Sequence, residues 1–311
     1  MRVQARNRKH QSGQFLAVDQ TKLYYQSWHP DYDSDCDSDC APRAVIVIVH
    51  GLGAHSGIFS HLAEFLSDRQ VAVYALDLRG HGRSGGQRGH INSWSEFRQD
   101  LNSFIQLVST KEKDLPLYLL GQSLGGTISL DFALHYDFAL DYDEQFDKDK
   151  LQDKLHGLIL LSPALKVRIA PLKSILGKLF SGLLPRFTMD TGSQGSTIAC
   201  DLQVTATTTE DPWRHTKATA RLATEFWQTT AWIEAHASSL QIPLLILHGG
   251  ADPVTLPETS LQLFTTMAVN DKERYEYPQG HHELQNDLEC RNIFLDLVDW
   301  LERHLDPQLG A

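Results

Sequence analysis

The chain has 311 residues, 41% of them hydrophobic, and a formal net charge of −11 from 39 acidic and 28 basic side chains. That length fits one large α/β domain or two small ones, and the apolar share supports a substantial buried core. The acidic balance disfavours nucleic acid as a partner and offers no long-range attraction to an anionic membrane. Residues 1–14 are polar and basic, with no apolar h-region. No run of about 18 apolar residues occurs. Neither a signal peptide nor a membrane-spanning helix is therefore expected. The cysteines Cys36, Cys40, Cys200 and Cys290 are scattered and describe no disulfide framework, so the expectation is a cytoplasmic protein with reduced thiols.

Short apolar runs alternate with amphipathic stretches, the pattern of a mostly parallel sheet with helices on both faces. Residues 15–18 and 22–28 read as a first hairpin. Residues 44–49 are a β-branched run, continuous enough for a central buried strand. A helix follows over 58–69 and a strand over 71–76. Residues 95–110 place Phe97, Leu101, Phe104, Ile105 and Val108 on one helical face. A strand over 115–120 runs into a small-residue helix over 125–135. Strands are expected at 155–161, 244–247 and 274–277, and a closing amphipathic helix at 293–304.

The interval 165–241 breaks this alternation. It holds no clean strand, and Ile169, Leu172, Ile175, Leu176, Leu179, Phe180, Leu183 and Leu184 form a dense apolar helical pattern. It reads as a helical cap inserted over the carboxyl edge of the sheet, where open α/β sheets bind ligands. The core is then 1–164 and 242–311. Two acidic runs, 31–40 and 141–150, read as solvated loops. The first lacks the Gly and Glu positions of an EF-hand, and His29 with Cys36 and Cys40 matches no usual zinc spacing. No metal and no cofactor are expected.

The chemistry centres on Gly121-Gln122-Ser123-Leu124-Gly125. A G-x-S-x-G between strand and helix is the context of a nucleophile elbow, in which a strained turn exposes the Ser hydroxyl at the positive end of a helix dipole. A serine needs a base, and that base needs an acid to fix its tautomer. On such sheets they follow in the order Ser, acid, His. Asp252 lies just beyond the 244–247 strand in His248-Gly249-Gly250-Ala251-Asp252-Pro253. The strand ending near Leu161 is followed by Ser162-Pro163-Ala164 and offers no rival carboxylate. The base lies in Gln279-Gly280-His281-His282-Glu283-Leu284, and spacing alone does not choose between the two histidines. The developing oxyanion requires backbone N–H donors. Leu124 and Leu52 supply them, the latter in His50-Gly51-Leu52-Gly53, whose glycines Gly51 and Gly53 let substrate approach the backbone. Asp77 and His81 precede the nucleophile, the wrong order for this architecture, and read as braces of the oxyanion loop.

The segments HGLGAHSGIF, DLRGHGRSGGQRGHI, GQSLGG, LHGGADPVT and GHHELQND resemble the monoacylglycerol lipase and lysophospholipase branch of the α/β-hydrolase fold, over nearly the whole chain after Phe15. The resemblance implies Ser123 as nucleophile, Asp252 as acid and His282 as base, because the family's histidine often directly precedes a Glu. It implies ester hydrolysis. The apolar cap points to an acyl-chain substrate such as monoacylglycerol or lysophospholipid, and Leu176 to Leu184 offer a transient membrane contact, a lining for the acyl tunnel, or packing on the core. A short-chain carboxylesterase, a thioesterase or an acyltransferase would use the same triad. A serine argues against the Asp-nucleophile dehalogenases and epoxide hydrolases of this fold. The elbow departs from the family in carrying Gln122 where His is common and Leu124 where Met is frequent.

Overall fold

The structure, a computed structural model, describes residues 9–30, 41–138, 155–166, 181–191 and 210–305. Most of the predicted cap helix, and the acidic runs 31–40 and 141–150, lie outside the described residues.

In chain order the elements are β1 (Lys9–Leu16), β2 (Lys22–His29), β3 (Ala44–Val49), α1 (Ser60–Ser67), β4 (Val71–Leu76), α2 (Ser95–Lys111), β5 (Leu117–Gln122), α3 (Leu124–Phe138), β6 (Leu155–Leu161), β7 (Thr188–Asp190), β8 (Lys217–Thr219), α4 (Ala220–His236), β9 (Leu244–Gly249), α5 (Pro257–Thr266), β10 (Lys272–Tyr277) and α6 (Cys290–Leu305). Eight strands form one sheet in the order β1-β2-β4-β3-β5-β6-β9-β10. The β1-β2 and β2-β4 pairs are antiparallel and all later pairs parallel. The expected mostly parallel sheet with helices on both faces is therefore present.

The central strands are apolar apart from Gln122, His156 and His248 near their ends, because both faces are covered. Along β3, Val45, Val47 and Val49 pack with Phe97, Leu101 and Phe104 of α2 and with Ile128 of α3. Ala44, Ile46 and Ile48 turn the other way, to Leu62 of α1 and Leu297 and Trp300 of α6. Each fully buried Leu, Ile or Val contributes about 1.5–3 kcal/mol. The edge behaves differently. Among the described residues β1 has a partner on one side only, so its Lys-His-Gln-Ser sequence gives no apolar signal, and the strand begins six residues earlier than the hydrophobic pattern suggests.

Two further boundaries differ from the sequence reading. β5 runs Leu117–Gln122 rather than 115–120, since Pro116 has no N–H to give a ladder; its carbonyl still accepts from Val45 N at 3.0 Å. The interval 165–241 was expected to hold no strand, yet β7 and β8 pair there as an antiparallel ribbon. At three residues each, they are too short for periodicity to register.

Candidate active site

Every loop that carries a predicted site residue leaves the carboxyl end of a parallel strand. At the end of β5 the chain turns sharply, and Ser123 takes φ +54°, a left-handed value costly for a residue with a side chain. Hydrogen bonds over-determine the turn. Ser123 N donates to Leu161 O at 3.0 Å, and Ser123 O accepts from Thr127 N at 3.2 Å and Ala164 N at 3.0 Å. The motif's glycines are explained by space. A Cβ on Gly121 would lie 2.4 Å from Gly125 O, and one on Gly125 would lie 2.1 Å from Val49 O. Leu124 opens α3, so its N–H belongs to the first turn, where no intrahelical acceptor exists.

The acid is held by its own loop. Asp252 Oδ1 accepts from Val254 N at 2.7 Å and Thr255 N at 3.0 Å, the local bonding that Asp favours in turns. Oδ2 accepts from Thr255 Oγ1 at 2.7 Å and His282 Nδ1 at 2.8 Å. Burial alone would raise this carboxyl's pKa. Hydrogen bonds from His248, His282 and Thr255 outweigh burial and hold it well below the usual carboxylate range. With Nδ1 donating to a carboxylate, Nε2 of His282 is the ring's proton acceptor.

The structure brings His282, not His281, to Asp252. His281 turns away from Asp252 and is half-buried, with its backbone N–H on Asp287 Oδ2 at 2.9 Å and its ring near Gln279 O at 3.1 Å. Ser123, Asp252 and His282 are each less than 10% exposed. Gln122 reaches sideways beneath the elbow, and its Nε2 donates to His282 O at 3.5 Å. A Cβ on Gly51 would meet Gln122 Oε1 at 2.5 Å and Ser123 Cβ at 2.9 Å, so the oxyanion-loop backbone lies directly against the nucleophile.

That loop is fixed by a neutral histidine. His50 Nε2 accepts from Leu78 N at 3.0 Å, which leaves Nδ1–H to donate to Gly51 O at 2.7 Å. Complete burial lowers its pKa to about 3, so it stays uncharged. Asp77 ties the neighbouring turns together, accepting from Ser56 N and Arg83 N, both at 2.7 Å. His81 donates to Arg79 O at 2.9 Å and is buried. Asp77 therefore ties its turn to the segment after the oxyanion loop, whereas the His81 hydrogen bond stays within its own turn.

Several bracing residues were not visible in the sequence. Thr255 links Asp252 to Ser162 O at 3.2 Å, and His248 Nε2 lies 3.5 Å from Asp252 Oδ2. The Asp-x-x-Thr spacing was a usable turn signal for the first, but nothing marked the second. Arg214, from the interval after β7, pairs with Glu283 beside His282. Among the described residues no group of three or more His, Cys, Asp or Glu side chains could hold a metal, and no helix is long and apolar enough to cross a membrane.

The family model described as "Serine aminopeptidase, S33" matches residues 40–289. The chain is 28% identical over 294 residues to a monoacylglycerol lipase of Mycolicibacterium smegmatis, covering 94% of this chain and 96% of the relative. It is 27% identical over 257 residues to a phospholipase of Bacillus subtilis, covering 81% and 93%. The crystal structure of Paleococcus ferrophilus monoacylglycerol lipase superposes with TM-score 0.76 at 28% identity, covering 91% of this chain and 99% of that one.

Proposed function

The chain belongs to the serine aminopeptidase S33 family, in the monoacylglycerol lipase-like branch of the α/β hydrolases, and from that premise we propose that it hydrolyses carboxylic esters of acyl lipids through an acyl-enzyme on Ser123. The observation that carries this reading is the 2.8 Å contact of His282 Nδ1 with Asp252, whose carboxyl is held well below its usual range, together with the φ +54° of Ser123 on the elbow whose Gln122 reaches the His282 carbonyl at 3.5 Å.

In the first step His282 Nε2 takes the Ser123 Oγ proton as that oxygen attacks the ester carbonyl carbon. The carbonyl oxygen becomes negative and is held by the Leu52 and Leu124 N–H groups, with Gly51 and Gly53 leaving room for the substrate. Asp252 stabilises the imidazolium. Collapse breaks the bond to the leaving alcohol, which takes its proton from His282. Water then gives a proton to His282 and attacks the acyl carbon. The fatty acid leaves and Ser123 regains its proton.

The substrate class follows from the branch, whose members named above are a monoacylglycerol lipase and a phospholipase. Monoacylglycerol or lysophospholipid is the proposed substrate, with residues 165–241 as a cap over the acyl chain. Leu183, Leu184, Phe187, Met189 and Trp213 are exposed apolar side chains in that interval, and they support a transient contact with a lipid surface. A cytoplasmic setting, the expectation from four scattered cysteines, belongs to the same proposal.

The test is turnover of p-nitrophenyl esters from short to long chain, beside a 1-monoacylglycerol and lysophosphatidylcholine, with Ser123→Ala as control. Long-chain turnover reduced by roughly 10⁴-fold or more in the variant is the expected result. Turnover confined to short esters would replace the lipid substrate with a general carboxylesterase role. Unchanged turnover in Ser123→Ala would remove the nucleophile assignment.

A further inference from the structure

Residues 211–215 cross the open edge of the sheet and touch three loops that the reaction needs. At one end His55 Nε2 donates to Asp211 Oδ2 at 2.7 Å, while its Nδ1 accepts from Gly57 N at 3.1 Å. At the other end His215 N donates to Gly53 O at 3.0 Å, and its Nε2 donates to Gly80 O at 3.1 Å. Gly53 directly follows Leu52. Its φ is +74°, and a Cβ there would lie 1.9 Å from His215 O, so backbone meets backbone. Between them Arg214 forms a two-pronged pair with Glu283, Nη1 to Oε1 at 2.7 Å and Nη2 to Oε2 at 2.9 Å. Glu283 Oε2 also accepts from Asn286 Nδ2 at 2.8 Å. Glu283 is the residue after His282.

The Arg214 and Glu283 side chains are only 12% and 4% exposed. A buried ion pair costs desolvation and is no better a stabiliser than an apolar pair of the same size. What a forked guanidinium–carboxylate pair supplies is direction, because two parallel bonds fix orientation as well as distance. Here the fixed group is the backbone that carries the base.

We propose that residues 211–215 are a latch that holds the oxyanion loop and the base loop in register, with Arg214 the positioning residue for His282 through Glu283. The inference rests on the Ser123–His282–Asp252 reading. Neither Arg214 nor Glu283 touches the reacting atoms in this role. Their loss acts on kcat, since displacement of a base by about 1 Å can cost on the order of 100-fold.

The experiment compares Arg214→Met, Arg214→Lys, Glu283→Gln and the Arg214→Met/Glu283→Gln double variant. Each is measured for kcat and KM on one p-nitrophenyl ester, for the rate of Ser123 labelling by a fluorophosphonate, and for thermal unfolding. The expected result for Arg214→Met is a fall of roughly 10- to 100-fold in kcat with KM nearly unchanged, and an equal fall in labelling. The double variant should be no worse than either single change, because both remove the same contact. Arg214→Lys keeps the charge and loses the fork, so it should restore part of kcat. Arg303→Met, which breaks a half-exposed pair with Glu273, is the control and should leave kcat unchanged.

Normal kcat in the Arg214 and Glu283 variants would overturn the latch. So would a loss seen only in KM, or one that tracks the folded fraction. If Arg214→Met does not fold, Glu283→Gln, which keeps size and the Asn286 contact, carries the same comparison. Ser123→Ala run in parallel separates the two failures. Full turnover there sinks the triad reading, whereas a dead Ser123→Ala beside normal Arg214 variants sinks the latch alone.

Discussion

Besides the longer 3.5 Å approach of His248, Asp252 has four donors on its two oxygens, and three of them come from its own loop. The fourth is His282, so the position of the imidazole is set against an acid that is itself immobile. His281 has the same sequence distance from Ser123 to within one residue, yet its ring meets Gln279 O and Asp287 rather than Asp252. His282→Ala should therefore lower kcat by roughly three or more orders of magnitude, and His281→Ala should retain most of it. Saturating turnover of both variants decides the matter, and the reverse ranking would exclude His282 as the base. Ser123, Asp252 and the pair of histidines were legible in the sequence because each stands at a fixed place relative to a strand end. The choice between adjacent histidines was not, since neighbouring side chains in a loop point wherever its hydrogen bonds turn them. Arg214 was illegible for another reason: it reaches Glu283 across 69 residues of sequence, and no local pattern encodes such a contact.

At the scale of elements, burial decided what could be read. β3, β4, β5 and β9 are buried along their full length and are apolar up to the Gly-Gln and His-Gly that close β5 and β9. β1, β7 and β8 are edge or ribbon strands with polar residues, and pattern alone missed or shortened them. The nucleophile's placement depends on how closely α3 approaches β3, and that distance is set by Gly125. An alanine there would press its Cβ to within 2.1 Å of Val49 O and 2.6 Å of His50 O. Both are main-chain atoms of the strand leading into the oxyanion loop, so neither yields as a flexible side chain would. Gly125→Ala should destabilise the fold by about 1–3 kcal/mol or more, and should lower kcat beyond what the loss of folded protein explains, since α3 must shift with Ser123 at its start. Urea unfolding combined with active-site titration separates the two effects. A variant with wild-type stability and rate would mean the helix can move without cost.

Across the whole molecule, the helices that flank the sheet also bury titratable groups far from Ser123, and two of these oppose each other. Asp131 of α3 accepts from Trp94 Nε1 at 3.0 Å and pairs with Arg98 of α2 at 3.3 Å. His135, one turn on, also meets Arg98 and stacks on Trp232 of α4 with ring centroids 4.0 Å apart. Burial raises Asp131 from 3.8 to about 6, against the pull of Arg98 and Trp94. Burial, followed by the Arg98 charge, lowers His135 from 6.5 to about 4. The linkage signs differ. Between about pH 4 and 6 the folded state holds a proton on Asp131 that the unfolded chain has released, so this group makes stability fall as pH rises. Between about pH 4 and 6.5 the unfolded chain holds a proton that folded His135 lacks, so that group makes stability rise with pH. Each rests on a displacement worth on the order of 3 kcal/mol, and in the native protein the two largely cancel. Asp131→Asn keeps a carbonyl for Trp94 and removes the titration, together with the carboxylate charge that faces Arg98. The variant should therefore gain stability relative to the native chain as pH rises from 4 to 6, and its own unfolding free energy should climb through that window. Denaturant unfolding of both proteins at pH 4.5, 5.5 and 6.5 measures the difference directly. A difference independent of pH would mean that Asp131 is ionised in the folded state throughout, with Arg98 rather than burial setting its charge.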